Sequence, residues 1–309
     1  MVTSYGGLTT LIGVTVAVVV FVSGCQTERF GAETTPSSIP APVPVPGGTS
    51  SCPLPAYPKP SCTGVPAGTR LTSLPLNYDG TIYRVTGDNQ VLDSVHIAGN
   101  VLVTGHNTTI KNSQIDGHIL NEYSGVTYPM TITDSTIGPA SGCGGPVIAP
   151  AEYTAIRVHV RNASDGFRDS GNNILVQDSY VHLCSSSPED HSDGFQGYLG
   201  GTNVKIYHNT IDQRDVPPEA QTAPIFIANE SKDADIQNNL LAGGSATIRV
   251  HNGGGSYIVT GNRIVDNSWV YGPVSSSCDV ITWSDNWLVD IDDDYNITSM
   301  VAPQPCLKD

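Results

Sequence analysis

Asn203-Val-Lys-Ile-Tyr-His-Asn-Thr-Ile-Asp212 holds the phrase on which the fold turns: apolar, any residue, a polar pair, then a second apolar residue two positions on. Within it, Ile206-Tyr-His-Asn-Thr-Ile211 has close copies on either side. They read Ile110-Lys-Asn-Ser-Gln-Ile115, Ile132-Thr-Asp-Ser-Thr-Ile137, Val176-Gln-Asp-Ser-Tyr-Val181, Ile236-Gln-Asn-Asn-Leu-Leu241 and Val259-Thr-Gly-Asn-Arg-Ile264, with a degenerate Trp283-Ser-Asp-Asn-Trp-Leu288. The 44-residue gap between the anchors at 132 and 176 leaves room for one more copy near Val160. The period of roughly 22 to 30 residues is that of a solenoid. Apolar and polar residues alternate as in a strand. Val, Ile, Thr, Asn and Gly dominate, and no ten-residue stretch after residue 52 carries a helical stripe. Short strands with Asn or Gly corners, wound in coils of about two dozen residues, make a parallel β-helix. The apolar residues face inward. The polar pair takes the corner, where Asn and Asp tolerate left-handed backbone angles and bond to the next coil.

Over roughly residues 65–290 the chain resembles the right-handed parallel β-helix proteins of the pectate-lyase-like superfamily, through Asn173-Ile-Leu-Val-Gln-Asp-Ser-Tyr-Val-His182, Asp190-His-Ser-Asp-Gly-Phe-Gln196 and the stretch quoted first. The resemblance implies an all-β, single right-handed parallel β-helix of about 8–9 coils. It leaves the chemistry open, because the same scaffold carries lyases, hydrolases, epimerases and inert adhesins.

Residues 8 to 22 form an apolar run ending in Val22-Ser-Gly-Cys25, the pattern of a bacterial lipoprotein signal. Residues 1–24 are therefore expected to be the signal peptide and Cys25 the lipidated first residue of the mature chain. Residues 25–51, rich in Pro, Ser and Thr, read as an extended stalk, and 52–309 as the β-helix domain with capping segments. The protein is then exported and lipid-anchored on the outer face of the bacterial membrane or in the cell wall. Setting Cys25 aside leaves six cysteines. The economical pairing is Cys52 with Cys62, Cys143 with Cys184, and Cys278 with Cys306, each closing a local loop at the entry, middle or exit of the solenoid.

The formal charge is −15, with no basic run. That disfavours nucleic acid, whose phosphates need clustered Lys and Arg. It also repels an acidic polysaccharide unless cations bridge the two, so a neutral glycan or a Ca²⁺-assisted reaction fits the balance better. The expected partner is polysaccharide; the membrane is met through the lipid anchor alone, and the protein is expected to be a monomer.

One constellation points to chemistry. Ser164-Asp165-Gly166-Phe167-Arg168 recurs 28 residues later as Ser192-Asp193-Gly194-Phe195-Gln196. One turn of the solenoid should stack Asp165 on Asp193, about 4.8 Å apart. Alternation puts His191 on the face of Asp193 if the strand is regular. The same register makes Arg168, Gln196, Phe226 and Arg249 an outward, substrate-binding column, with Ala223 and Ala246 at the Asp position leaving a shelf for a sugar ring. Two carboxylates at that spacing repel by roughly 3 kcal/mol at an effective dielectric near 20. A shared proton would relieve this and give the acid and base of glycoside hydrolysis. A Ca²⁺ ion held by Asp165 and Asp193 would also serve, as would the Arg168 guanidinium. By resemblance, His191 or Arg168 would be the base that takes a proton from a sugar carbon in a lyase or epimerase.

These residues frame two expectations. In the first, Asp165, His191, Asp193 and Arg168 are catalytic residues acting on extracellular or wall polysaccharide by lyase, hydrolase or epimerase chemistry. In the second, the flat outer face binds glycan or a partner without catalysis, with Phe226, Tyr198 and Tyr207 as its aromatics. Asp-Gly is also an ordinary solenoid corner, in which both acids would cap strands. His159, His182, His208 and His251 read as exposed structural residues, Glu230 and Asp212 as lesser acid candidates, and Asp290-Ile-Asp-Asp-Asp-Tyr-Asn296 as an acidic cap over the last coil rather than a calcium loop.

Overall fold

The computed structural model describes residues 51–308 apart from 199, 229–230 and 252–254. The expected signal peptide, Cys25 and nearly all of the stalk lie outside the described residues, as does Glu230.

Over the described residues the chain winds through three sheets in turn, nine times. Sheet I runs from Ile82–Val85 to Gly272–Ser276, and sheet II from Val91–Asp93 to Ile281–Ser284. Sheet III begins with Thr72–Ser73 and Val95–Ile97 and ends with Trp287–Ile291, followed by the antiparallel strand Ile297–Pro303. Every other pairing in these sheets is parallel. The molecule is a parallel β-helix of nine coils.

The repeat anchors stack in register. Leu92, Ile110, Ile132, Ala155, Val176, Ile206, Ile236, Val259 and Trp283 climb sheet II in one file. The second apolar residues, from Ile97 and Ile115 to Val160, Ile264 and Leu288, climb sheet III. The copy expected near Val160 is therefore Ala155–Val160, in which Val160 is the second apolar residue and not the anchor. Leu92–Ile97 is a further copy that the polar pair does not announce, because Val95 takes its second position. The stacked apolar files are almost fully buried and form one continuous core.

The corner between sheets II and III explains the polar pair. Its first residue has a left-handed backbone, with φ of 50° at Asn112, 47° at Asp134, 51° at Asp178, 56° at Asn238 and 49° at Asp285. Its second residue points inward and forms a ladder. The main-chain N–H groups of Asn209, Asn239 and Asn262 donate to the side-chain oxygens of Asn239, Asn262 and Asn286 at 2.9–3.0 Å. The amide NH₂ groups of Asn209, Asn239 and Asn262 donate to the same oxygens, and to the carbonyls of Val176, Ile206 and Ile236. In earlier coils Ser113, Ser135 and Ser179 supply hydroxyls instead. Arg157 also stands in the left-handed region, φ 52°, where its guanidinium forks onto Asp134 at 2.6 and 2.7 Å.

All three expected disulfides are present: Cys52–Cys62, Cys143–Cys184 and Cys278–Cys306. The N-terminal segment runs along the outer face of sheet III. Tyr57 packs with Leu240, Ala242, Val265 and Val289, Gly64 N–H bonds Arg157 O at 2.9 Å, and Thr72 pairs with Val95. Gly64 has φ 77°, and a Cβ there would lie 2.5 Å from Thr136 Oγ1, so only glycine lets the strap lie this close. The strap covers sheet III from the late coils to the first and leaves the outer face of sheet I to other uses.

Candidate functional site

The duplicated strands lie on adjacent coils of sheet I, with Phe167 opposite Phe195 and Arg168 opposite Gln196. Asp165 and Asp193 stack through the main chain. Asp193 N–H donates to Asp165 Oδ1 at 3.0 Å, and Ala223 N–H donates to Asp193 Oδ1 at 3.2 Å. The second oxygens accept from Arg168 Nη2 at 3.1 Å and Gln196 Nε2 at 2.8 Å. Both acids are buried, at 4% and 1% exposure. The glycines permit this close stacking: a Cβ on Gly194 would meet Ile211 Cγ2 at 2.2 Å, and one on Gly166 would meet Gly194 O at 2.3 Å.

Burial raises the Asp165 carboxyl above its usual range, against the pull of the Asp193 N–H and Arg168. Asp193 is raised well above that range, first by burial and then by the charge of Asp165. The Arg168 guanidinium eases the repulsion on the Asp165 side, and on the Asp193 side the raised carboxyl shifts toward its neutral form. All four carboxylate oxygens already carry an N–H donor, which does not fit Ca²⁺, a cation that takes several free oxygens. Among the described residues no three His, Cys, Asp or Glu gather as a metal cluster.

Two geometric expectations are corrected. His191 does not share a face with Asp193: it lies outside the strand Ser192–Gly197, with φ 48°, and is exposed where Asp193 is buried. The register also shifts between Ser192 and Asp193, which breaks the alternation. Nor do the alanines form a shelf. Ala223 is 0% exposed and packs with Phe226 and Ala228, while Ala246 is buried as well.

The outward column is in register as expected, Arg168 beside Gln196, Gln196 beside Phe226 and Phe226 beside Arg249. Phe226 is buried and acts as a backing plate. Tyr198, 45% exposed, stands edge-on to it with ring centroids 5.4 Å apart. From the other side the Arg249 guanidinium lies 5.3 Å from the Phe226 centroid. Arg168 Nε and Arg249 Nε are both buried with no hydrogen-bond partner among the described residues, though Arg168 also gives its Nη2 to Asp165. Tyr207 belongs to sheet II, where its hydroxyl donates to Asp235, and takes no part in the column.

The remaining candidates have structural partners. His208 is buried rather than exposed, between Asp178 at 2.5 Å and Ala56 O at 2.9 Å. His182 bonds Asp215, and burial lowers His159 to about 4. Asp212 takes three bonds from Arg214, one of them from its main-chain N–H, and one from the Tyr295 hydroxyl, and these outweigh its burial and hold its carboxyl below the usual range. The Asp290–Asn296 stretch is a turn into the antiparallel last strand, with Asp292 Oδ1 accepting the N–H groups of Asp294 and Asn296.

One buried acid on the same strand as Arg168 was missed. Asp169 ends the strand Phe167–Asp169, is 0% exposed, and is pushed up to about 6 chiefly by burial. Its Oδ2 and Ser231 Oγ are both buried without a partner among the described residues. A Cβ on Gly200 would lie 2.1 Å from that Oδ2. The only signal in the sequence is the turn-like Asp169-Ser-Gly171, in which Asp169 Oδ1 accepts Gly171 N–H. The chain matches no protein-family model, no curated protein and no solved structure.

Proposed function

We propose that this protein binds a neutral polysaccharide outside the cell through the outer face of sheet I. On this reading it is a member of the pectate-lyase-like superfamily held on a lipidated stalk. The observation that carries it is the platform of Tyr198, set on Phe226 and flanked by Gln196 and Arg249, on a face that the strap leaves bare. An exposed aromatic ring locked by its neighbours offers an apolar surface to a sugar ring at little entropic cost, and the amide and guanidinium supply donors to its hydroxyls. The formal −15 charge favours neutral over acidic chains, and three disulfides suit an oxidising compartment. Affinity electrophoresis of the full chain in gels containing soluble neutral glycans tests the reading. Retardation that falls about tenfold or more in Tyr198→Ala and Arg249→Ala supports it. Retardation unchanged in both variants, or none with any glycan, overturns it.

A catalytic reading has one observation in its favour: two stacked carboxyls both raised by burial, Asp193 further by the charge of Asp165, a setting that favours a protonated acid beside a second carboxyl. It requires Arg168 and Gln196 to swing aside so that substrate reaches Asp193. Ultraviolet absorbance of unsaturated products would report elimination, and new reducing ends hydrolysis. Turnover lost in Asp193→Asn would support this reading, and turnover retained would end it.

A further inference from the structure

A second feature lies two to three coils toward the N-terminal end, at the corner between sheets III and I. Asn100, Asp116, Gly117, His118 and the loop Gly144–Val147 line a cavity of about 180 Å³. That is below the ~300–1,000 Å³ of pockets for drug-sized ligands. Its polar walls are sorted by what they still offer. Asp116 Oδ2 meets His96 Nε2 at 2.7 Å, and Oδ1 accepts from Gln114 Nε2 at 2.8 Å and Arg161 Nη2 at 3.1 Å. This carboxylate is saturated with donors and has no free oxygen for a metal ion. Arg161 is turned onto Asp116 and Gly138 O, so no unpaired cation awaits an anion.

Two groups remain open. Asn100 Oδ1 accepts His118 N–H at 3.1 Å, and its Nδ2 has no acceptor among the described residues. Gly117 keeps that contact possible, since a Cβ there would lie 2.2 Å from Asn100 Oδ1. The His118 ring has no hydrogen-bonded protein partner among the described residues, and burial lowers its pKa, which leaves a neutral imidazole with one donor and one acceptor.

We propose that this cavity binds one uncharged polyhydroxylated ring, a monosaccharide, through hydrogen bonds from the Asn100 amide and with the His118 imidazole. The site is independent of the sheet I face and does not need that face to bind glycan. The test is an NMR titration of the isotope-labelled full chain with glucose, galactose, mannose and N-acetylglucosamine, and with glucuronate as charged comparator. Saturable shifts at the His118 ring and the amides of Gly144, Gly145 and Val147 are expected with at least one neutral sugar. Affinity should fall about three- to tenfold in His118→Phe and in Asn100→Asp, which keeps the oxygen that His118 N–H needs. Tyr198→Ala should change nothing at this site. No saturable shift with any neutral sugar, equal binding of glucuronate, or unaltered affinity in both variants would each overturn the proposal. Thermal unfolding of each variant confirms that it is folded, and Asn100→Asp alone decides if His118→Phe is not.

Discussion

The interior Asn ladder and the Asp165–Asp193 stack do one job by different chemistry. Both give a side-chain oxygen to the main-chain N–H of an adjacent coil. Asn carries its own donor, so Asn239 closes the circuit within the ladder by giving its NH₂ to Asn262 Oδ1 and Ile206 O. Asp has no donor. Its second oxygen must recruit Arg168 or Gln196 from the outer face, and its charge is expensive enough at that depth to raise the carboxyl. The Asn ladder therefore holds the coils together with no dependence on pH. The Asp stack ties the coil to a surface column and is sensitive to pH.

The largest way to break this contrast is Asn239→Leu. It strands the Asn209 N–H and the Ile206 carbonyl in the core, and we expect a loss of about 4 kcal/mol or more in chemical denaturation. Next comes the staple on the Asp side, where Cys143–Cys184 spans 41 residues and links the two long loops before sheet I. The chain-entropy relation gives about 4 kcal/mol for replacing both cysteines by serine. The short Asn corner needs no such staple.

The pH response follows from the raised carboxyls. Between the unfolded value and the raised folded value the native state binds more protons than the unfolded chain, so stability falls as pH rises through that window. For Asp169, raised to about 6, the fall between about pH 4 and 6 is on the order of 3 kcal/mol. Thermal melts across this range should show it, and Asp169→Asn should flatten it. A rise in stability over the same range in the parent chain would contradict the assignment.

The smallest and sharpest change is Asp193→Asn. It keeps the acceptor for Ala223 N–H and removes a charge that burial and Asp165 already disfavour, so stability should stay within about 0.5 kcal/mol. Asp193→Ala, which leaves that N–H bare, should cost about 1–3 kcal/mol. If Asn is as damaging as Ala, the charge itself holds the coil and the contrast drawn above is wrong.

Much of this was legible in the chain. The phrase from Ile206 to Ile211 and its copies carried the strand period, the corner and the coil length, because each coil meets only its neighbours and so repeats its local rules. The cysteine pairs followed from the same one-dimensional order. The outward column could be read by adding one coil length to Arg168.

Sequence alone also placed Asp165 next to Asp193, because stacking is a matter of register. Only the tertiary structure decided what surrounds them. Depth below the surface, the bulge that separates His191 from Asp193, the Phe226 ring over Ala223, and the meeting of Asn100, Asp116, His118 and Gly145 around one cavity all depend on loops of unequal length between the strands. A periodic pattern fixes which residues are neighbours along the axis. How deep a charge lies, and which faces the strap covers, depends on contacts between segments that share no period.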